Sequence, residues 1–151
     1  MQHISVRKEN NIATITFERA EKFNSFIRSM ALDFHSVLDE VAADESVRCI
    51  IITGSGKAFC AGQDLQEATD PEGPALSKIV SEHYNPAILR IRNIPKPVIA
   101  AVNGVAAGAG ASDTISYAPM SGCTSRRLLS KSIGDEFTRL PALIHKLVAI
   151  K

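Results

Sequence analysis

The chain has 151 residues, 45% of them hydrophobic and 22% charged, which is typical of one globular domain and argues against a disordered chain. The formal net charge is +1, so nothing in the charge balance favours a nucleic acid or a membrane as partner. The three cysteines lack metal-ligand spacing, no apolar run reaches the ~18 residues of a membrane span, and the N-terminus lacks a signal pattern. These features predict a soluble, cytoplasmic protein.

Alternating apolar residues predict a β-hairpin near the N-terminus. Its strands are residues 4–8 and 12–17, and the turn between them passes through an Asn-Asn pair, a residue type that tolerates positive φ. A helix is expected to follow, with Asn24 or Ser25 as its N-cap. This helix is predicted to bury one apolar stripe, which consists of Met30, Phe34, Val37, Leu38 and Val41.

The pattern beyond this helix is that of an α/β protein. Residues 49–53 are apolar on both faces, as in a central strand covered from two sides. A loop over 69–74 precedes a helix over 75–93, which Pro86 is expected either to kink or to restart. The inward positions of that helix are predicted to be Ile79, Ala87, Leu89 and Ile91. A buried strand over 98–102 completes the order β-β-α-β-loop-α-β-loop.

Two glycine-alanine segments, residues 57–64 and 103–111, contain the strongest functional signal. Each segment follows one of the two apolar strands, and each offers backbone N–H groups with little side-chain cover. Two such loops at the ends of neighbouring strands can direct two N–H donors at one oxygen atom, which is the geometry of an oxyanion hole. The pair therefore predicts an enzyme of acyl or enolate chemistry.

The first 111 residues resemble the crotonase (enoyl-CoA hydratase/isomerase) superfamily. The resemblance depends on the sequence FCAGQDL at residues 59–65 and AVNGVAAGAGA at residues 101–111. It implies the α/β fold of the ClpP/crotonase type, a spiral of ββα units. Within the superfamily the chain is most similar to isomerases that act on the ring-1,2-epoxide of phenylacetyl-CoA.

The resemblance also implies roles for individual residues. The backbone N–H groups of Gln63 and Ala109 would hold the thioester oxygen of an acyl-CoA as it becomes an enolate. Seven further positions would form the substrate site: Phe23, Ser25, Ala58, Ala61, Gly62, Asp64 and Gly108. No metal and no separate cofactor are expected, since coenzyme A arrives as part of the substrate. Full-length members are expected to form homo-oligomers, either trimers or dimers of trimers.

The catalytic acid or base is the point at which the chain departs from the family. Hydratases of this family carry Glu where this chain has Ser112, and a serine alone cannot activate water, so isomerisation is favoured over hydration. Asp135 is the nearest candidate for the later Asp on which the epoxide isomerases depend, although its spacing differs. Two alternatives stay open, an enoyl-CoA hydratase or double-bond isomerase, and an inactive remnant that binds coenzyme A.

Residues 112–151 differ in character from the rest of the chain. They contain six of the 17 basic residues but three of the 16 acidic ones, and they show no clean periodicity before residue 137. The sequence therefore predicts a division into residues 1–111, the N-terminal part of a crotonase core, and a divergent tail. A truncated or frameshifted reading frame would account for this tail.

Overall fold

The computed structural model describes residues 1–108, which form a mixed α/β fold with two sheets. The larger sheet has the strand order β1-β2-β3-β5, in which β1 and β2 are antiparallel and the other neighbours are parallel. Its strands are β1 (Ile4–Glu9), β2 (Ile12–Phe17), β3 (Cys49–Gly54) and β5 (Val98–Ala100). The smaller sheet pairs β4 (Ala58–Cys60) with β6 (Val105–Ala106) in parallel.

The N-terminal hairpin confirms the sequence prediction. Asn10 and Asn11 form its two-residue turn with φ values of 52° and 63°. Positive φ at both positions is the requirement of a type I′ turn, whose twist matches that of the flanking strands. The register that results pairs Ile4 with Phe17 and Glu9 with Ile12, so it places the apolar positions of β2 against the core.

The helices lie between the strands along the chain. They are a short 3-10 helix (Ala20–Lys22), α1 (Arg28–Ala43), α2 (Leu65–Ala68), α3 (Leu76–Ile79) and α4 (Asn85–Asn93). A π-helical turn, Val80–Tyr84, joins α3 to α4. This turn lies where the sequence predicts a kink or a restart of the helix. Pro86 has no N–H to donate and its ring crowds the preceding turn, which accounts for the wider π-helical hydrogen bonding before it. The predicted inward position of Leu89 is wrong, since this side chain is 57% exposed.

The core lies between α1 and the larger sheet. The predicted apolar stripe of α1 is buried throughout. Four aromatic rings meet edge-to-face at its centre, where the ring centroid of Phe17 lies 5.2 Å from that of Phe26, 5.3 Å from that of Phe34 and 5.7 Å from that of Phe59. Such contacts add about 0.5–1.5 kcal/mol per pair to the burial of the rings. This core gives the segments at the ends of β2 and β3 a rigid support.

Two further expectations differ from the structure. The helix α1 begins at Arg28 with Ile27 as its N-cap and without a side-chain cap, so the prediction of Asn24 or Ser25 as cap is wrong. The strand β5 is shorter than predicted and only partly buried. Ala109, Asp135 and the proposed boundary between residues 111 and 112 lie outside the described residues, so their assignments stay predictions.

Candidate functional site

The two glycine-alanine segments are neighbours in space, because β4 pairs with β6. Cys60 lies opposite Ala106, and the N–H of Ala107 donates to the Cys60 carbonyl at 3.0 Å. The approach is close enough that a Cβ on Gly104 would lie 2.2 Å from the Lys57 carbonyl oxygen, so only glycine fits there. At Gly108 a Cβ would lie 3.8 Å from the Gly62 Cα. The prediction that the segments adjoin is confirmed up to this residue.

The backbone N–H of Gln63 in the first segment has no acceptor among residues 1–108, whereas the residues on either side of it are hydrogen-bonded. Phe26 forms a parallel bridge with Gln63, in which the Phe26 N–H donates to the Gly62 carbonyl at 2.7 Å and the Asp64 N–H donates to the Phe26 carbonyl at 2.9 Å. The Ala61 N–H donates to the Phe23 carbonyl at 3.0 Å. No residue among 1–108 accepts the N–H of Gln63, which is half-buried. A free N–H among engaged neighbours is what an oxyanion hole requires of this segment.

The other predicted substrate-site residues divide into exposed and buried groups. Phe23 is 52% exposed and has a φ of 51°, and Ala61 is partly exposed beside it. Ser25, Ala58 and Asp64 are buried, and each is held by internal hydrogen bonds. Gly62 is buried with a φ of 94°, and Gly108 is exposed. Their contacts with a substrate stay predictions.

A buried ion pair supports the Gln63 segment from behind, and the sequence did not reveal it. The guanidinium of Arg19 donates to an oxygen of Asp64 at 2.7 Å, with side-chain exposures of 11% and 6%. A second nitrogen of Arg19 donates to the Ser25 carbonyl at 2.8 Å. The other oxygen of Asp64 accepts the N–H of Gln66 at 2.8 Å and so caps α2. Burial alone raises the pKa of Asp64, but the Arg19 and Gln66 hydrogen bonds outweigh it and hold this pKa below its ordinary value.

Two asparagines hold the turn between β3 and β4. Asn24 is fully buried, and its amide donates to the carbonyls of Ser55 at 2.9 Å and Ala58 at 2.8 Å, while its oxygen accepts the Arg19 N–H. Asn103 also donates to the Ala58 carbonyl, at 3.3 Å, and accepts the N–H of Gly54. Both side chains thus bind backbone groups of this turn and of the strand ends beside it. The local sequence signal for Asn24 pointed to a helix cap because that is the common use of asparagine before a helix.

A polar array extends from the side chain of Gln63. Its Nε2 donates to a carboxylate oxygen of Glu67 at 2.6 Å, and its Oε1 accepts the hydroxyl of Tyr84 at 3.0 Å. The other Glu67 oxygen accepts the N–H of Arg28, the first residue of α1, at 2.9 Å. The sequence analysis missed Tyr84, which lies 21 positions from Gln63 on another element. It also missed Glu67, although the spacing of four positions from Gln63 is a local signal.

Several other reactive residue types are structural. Cys60 is buried, as is Cys49, where burial raises the thiol pKa to about 11. Among residues 1–108, no three His, Cys, Asp or Glu side chains are grouped closely enough to hold a metal ion. No helix in the same part of the chain is long and apolar enough to cross a membrane.

Two buried histidines, His35 and His83, are expected to make the free energy of unfolding depend on pH. Neither ring nitrogen of His83 has a hydrogen-bond partner among the described residues, and the Nε2 of His35 lies 2.8 Å from the His83 carbonyl oxygen. Burial lowers the pKa of both imidazoles below 6.5. The unfolded chain therefore binds more protons than the folded one, so stability present above pH 6.5 is lost as the pH falls through the folded pKa values.

We expect His83→Phe to increase the free energy of unfolding at pH 7 by about 1–3 kcal/mol, because it removes a buried imidazole that no group in the described part of the chain hydrogen-bonds. The same substitution is expected to reduce the loss of stability between pH 7 and pH 5, since it removes one of the two imidazoles whose pKa is lowered by burial. Urea titrations followed by circular dichroism at several pH values measure both effects. His3→Gln is the control, and an identical pH dependence in His83→Phe and the unsubstituted protein would contradict the assignment.

The fold that positions these groups is shared with solved structures. A Pseudomonas aeruginosa protein, PA4980, superposes with a TM-score of 0.70 at 32% identity, over 77% of this chain and 50% of that one. The architecture is therefore the crotonase fold. The family model of enoyl-CoA hydratase/isomerase matches residues 7–115, and the chain belongs to this family.

Curated relatives match the same region. A 1,2-epoxyphenylacetyl-CoA isomerase of Escherichia coli K12 is 46% identical over 114 residues, which cover 74% of this chain and 44% of the relative. A Rhodobacter capsulatus protein named "Probable enoyl-CoA hydratase" is 40% identical over 113 residues, 74% of this chain and 43% of that protein. The chain thus spans less than half the length of these two relatives.

Proposed function

We propose that this protein binds an acyl-CoA thioester and stabilises its enolate with the backbone N–H of Gln63. The observation on which the proposal depends is that the N–H of Gln63 has no acceptor within residues 1–108, although its neighbours are engaged and the second glycine-rich segment lies beside it. A thioester enolate concentrates negative charge on one oxygen, and a fixed N–H dipole stabilises that charge without reorganisation. The second donor is proposed to be the N–H of Ala109, the next residue after Gly108.

The reaction that we propose is isomerisation of a ring-1,2-epoxyphenylacetyl-CoA. The 46% identity to an isomerase of that name supports it, and so does Ser112, which cannot activate water as a glutamate does. Isomerisation is redox-neutral, so the proposed chemistry needs no resident redox cofactor. Asp135 remains the proposed acid or base, and the proposed working form is a homo-oligomer in the cytoplasm.

A second candidate is an enoyl-CoA hydratase or double-bond isomerase, which the similarity to the Rhodobacter capsulatus protein favours. The two reactions differ in mass balance. Hydration adds one water to the acyl group, whereas isomerisation leaves its mass unchanged and alters its chromatographic retention.

The test is incubation of the full chain with the ring-epoxide of phenylacetyl-CoA and, separately, with crotonyl-CoA, with product analysis by liquid chromatography and mass spectrometry. The E. coli isomerase is the positive control for the epoxide. We expect a product of unchanged mass from the epoxide only. Heat released on coenzyme A binding, without turnover, would identify an inactive binding remnant. The absence of both turnover and binding would overturn the proposal.

A further inference from the structure

The amide of the Gln63 side chain is held at both of its ends. Glu67 accepts from its Nε2 at 2.6 Å, and the Tyr84 hydroxyl donates to its Oε1 at 3.0 Å. A carboxylate can only accept a hydrogen bond, so Glu67 determines which end of the amide is the nitrogen. With both ends engaged by partners on separate elements, the side chain has one orientation.

The carboxylate of Glu67 is itself fixed by α1. Its second oxygen accepts the N–H of Arg28, where α1 begins without a side-chain cap of its own. The N-terminal turn of a helix favours a negative charge, and α1 is 16 residues long. Glu67 therefore connects the Gln63 amide to the end of the longest described helix.

Tyr84 is fixed from the opposite side of the amide. It is the last residue of the π-helical turn, it is 8% exposed, and its ring centroid lies 6.0 Å from that of Phe26. Phe26 is the residue whose backbone forms the bridge with Gln63. The side chain and the main chain of Gln63 are thus held by contacts that converge on the same aromatic core.

We infer that Glu67 and Tyr84 are positioning residues of the oxyanion hole: through the side-chain amide of Gln63 they set the direction of its backbone N–H toward the thioester oxygen. This inference rests on the proposed function of Gln63. A donor stabilises a developing charge most when its direction is set before the reaction, so rotation about the Gln63 backbone weakens it. The two side chains act through Gln63 and do not touch the reacting atoms.

The test measures polarisation of a bound thioester. The probe is phenylacetyl-CoA labelled with ¹³C at its thioester carbonyl, and the readout is the carbonyl stretch in infrared difference spectra. A hydrogen bond to the carbonyl oxygen moves this band to lower wavenumber. We expect that shift in the unsubstituted protein and a smaller shift in Tyr84→Phe and Glu67→Gln, with the affinity for free coenzyme A unchanged by isothermal titration.

A double-mutant comparison separates positioning from general destabilisation. Gln63→Leu removes the amide that both partners hold, so Tyr84→Phe is expected to cause no further loss of the shift in that background. Glu72→Gln, an acidic residue in the loop before α3, is the matched control and retains the full shift. If Glu67→Gln fails to fold, Tyr84→Phe alone decides the question.

The possible failures are distinguishable. A bound thioester without any band shift in the unsubstituted protein overturns the proposed oxyanion hole and this inference with it. A normal shift in the unsubstituted protein that persists in full in Tyr84→Phe and Glu67→Gln overturns only the inference.

Discussion

Asp64→Asn is expected to lower the free energy of unfolding by about 3–5 kcal/mol, because it leaves the charge of Arg19 buried without an anionic partner. The two side chains are among the least exposed charged groups in the described part of the chain. Urea unfolding at pH 7 measures the difference. Glu9→Gln is the control, since it removes one partner of the exposed Arg7–Glu9 pair, whose side chains are 79% and 59% exposed, and such pairs contribute about 0–1 kcal/mol.

The pH dependence gives a second readout of the same pair. The pKa of Asp64 lies below its ordinary value of 3.8, so its contribution is complete well above that pH and declines as the pH falls through the folded pKa. The difference between Asp64→Asn and the unsubstituted protein is therefore expected to shrink in acid. A variant that loses no more stability than Glu9→Gln at pH 7 would show that the pair is not a structural support of the Gln63 segment.

Replacing the amide between Gly62 and Gln63 by an ester is expected to reduce turnover of the acyl-CoA substrate by about 10²–10³-fold. The ester keeps the side chain of Gln63 but removes one of the two N–H groups that are proposed to bind the oxyanion. Loss of such a donor costs about 2.7–4 kcal/mol of transition-state stabilisation. The effect is expected in kcat, with a small change in KM, because the donor binds the transition state more strongly than the substrate.

The control for this experiment is the same replacement at the N–H of Glu72, which donates to the side chain of Asp70 at 2.9 Å in an exposed loop. Turnover that is unaffected by the ester at Gln63 would remove this N–H from the mechanism. The carbonyl stretch of bound labelled phenylacetyl-CoA provides a readout that does not depend on turnover.

Patterns of burial allowed much of the fold to be predicted. The β2 alternation and the α1 stripe were correct because each reports one buried face, and a buried face depends on residues that are close in sequence. The strands β4 and β6 were missed, since three and two residues are too few to show a period. Leu89 was wrongly predicted to point inward, because the periodicity of a helix does not show how much of its apolar face a neighbouring element covers.

The amino-acid sequence alone was enough for the α/β class and the family, and it pointed to Gln63 as the residue whose N–H is proposed to bind a substrate. A local pattern is enough for this because the accessibility of a backbone N–H depends on small residues next to it in the chain, such as Ala61 and Gly62 before Gln63. Only the tertiary structure decided what holds that donor in place. Asn24 binds Ala58 across 34 positions, Arg19 pairs with Asp64, and Tyr84 reaches Gln63 across 21 positions. Such contacts join polar groups that satisfy each other only when the core brings them together, so no local pattern records them.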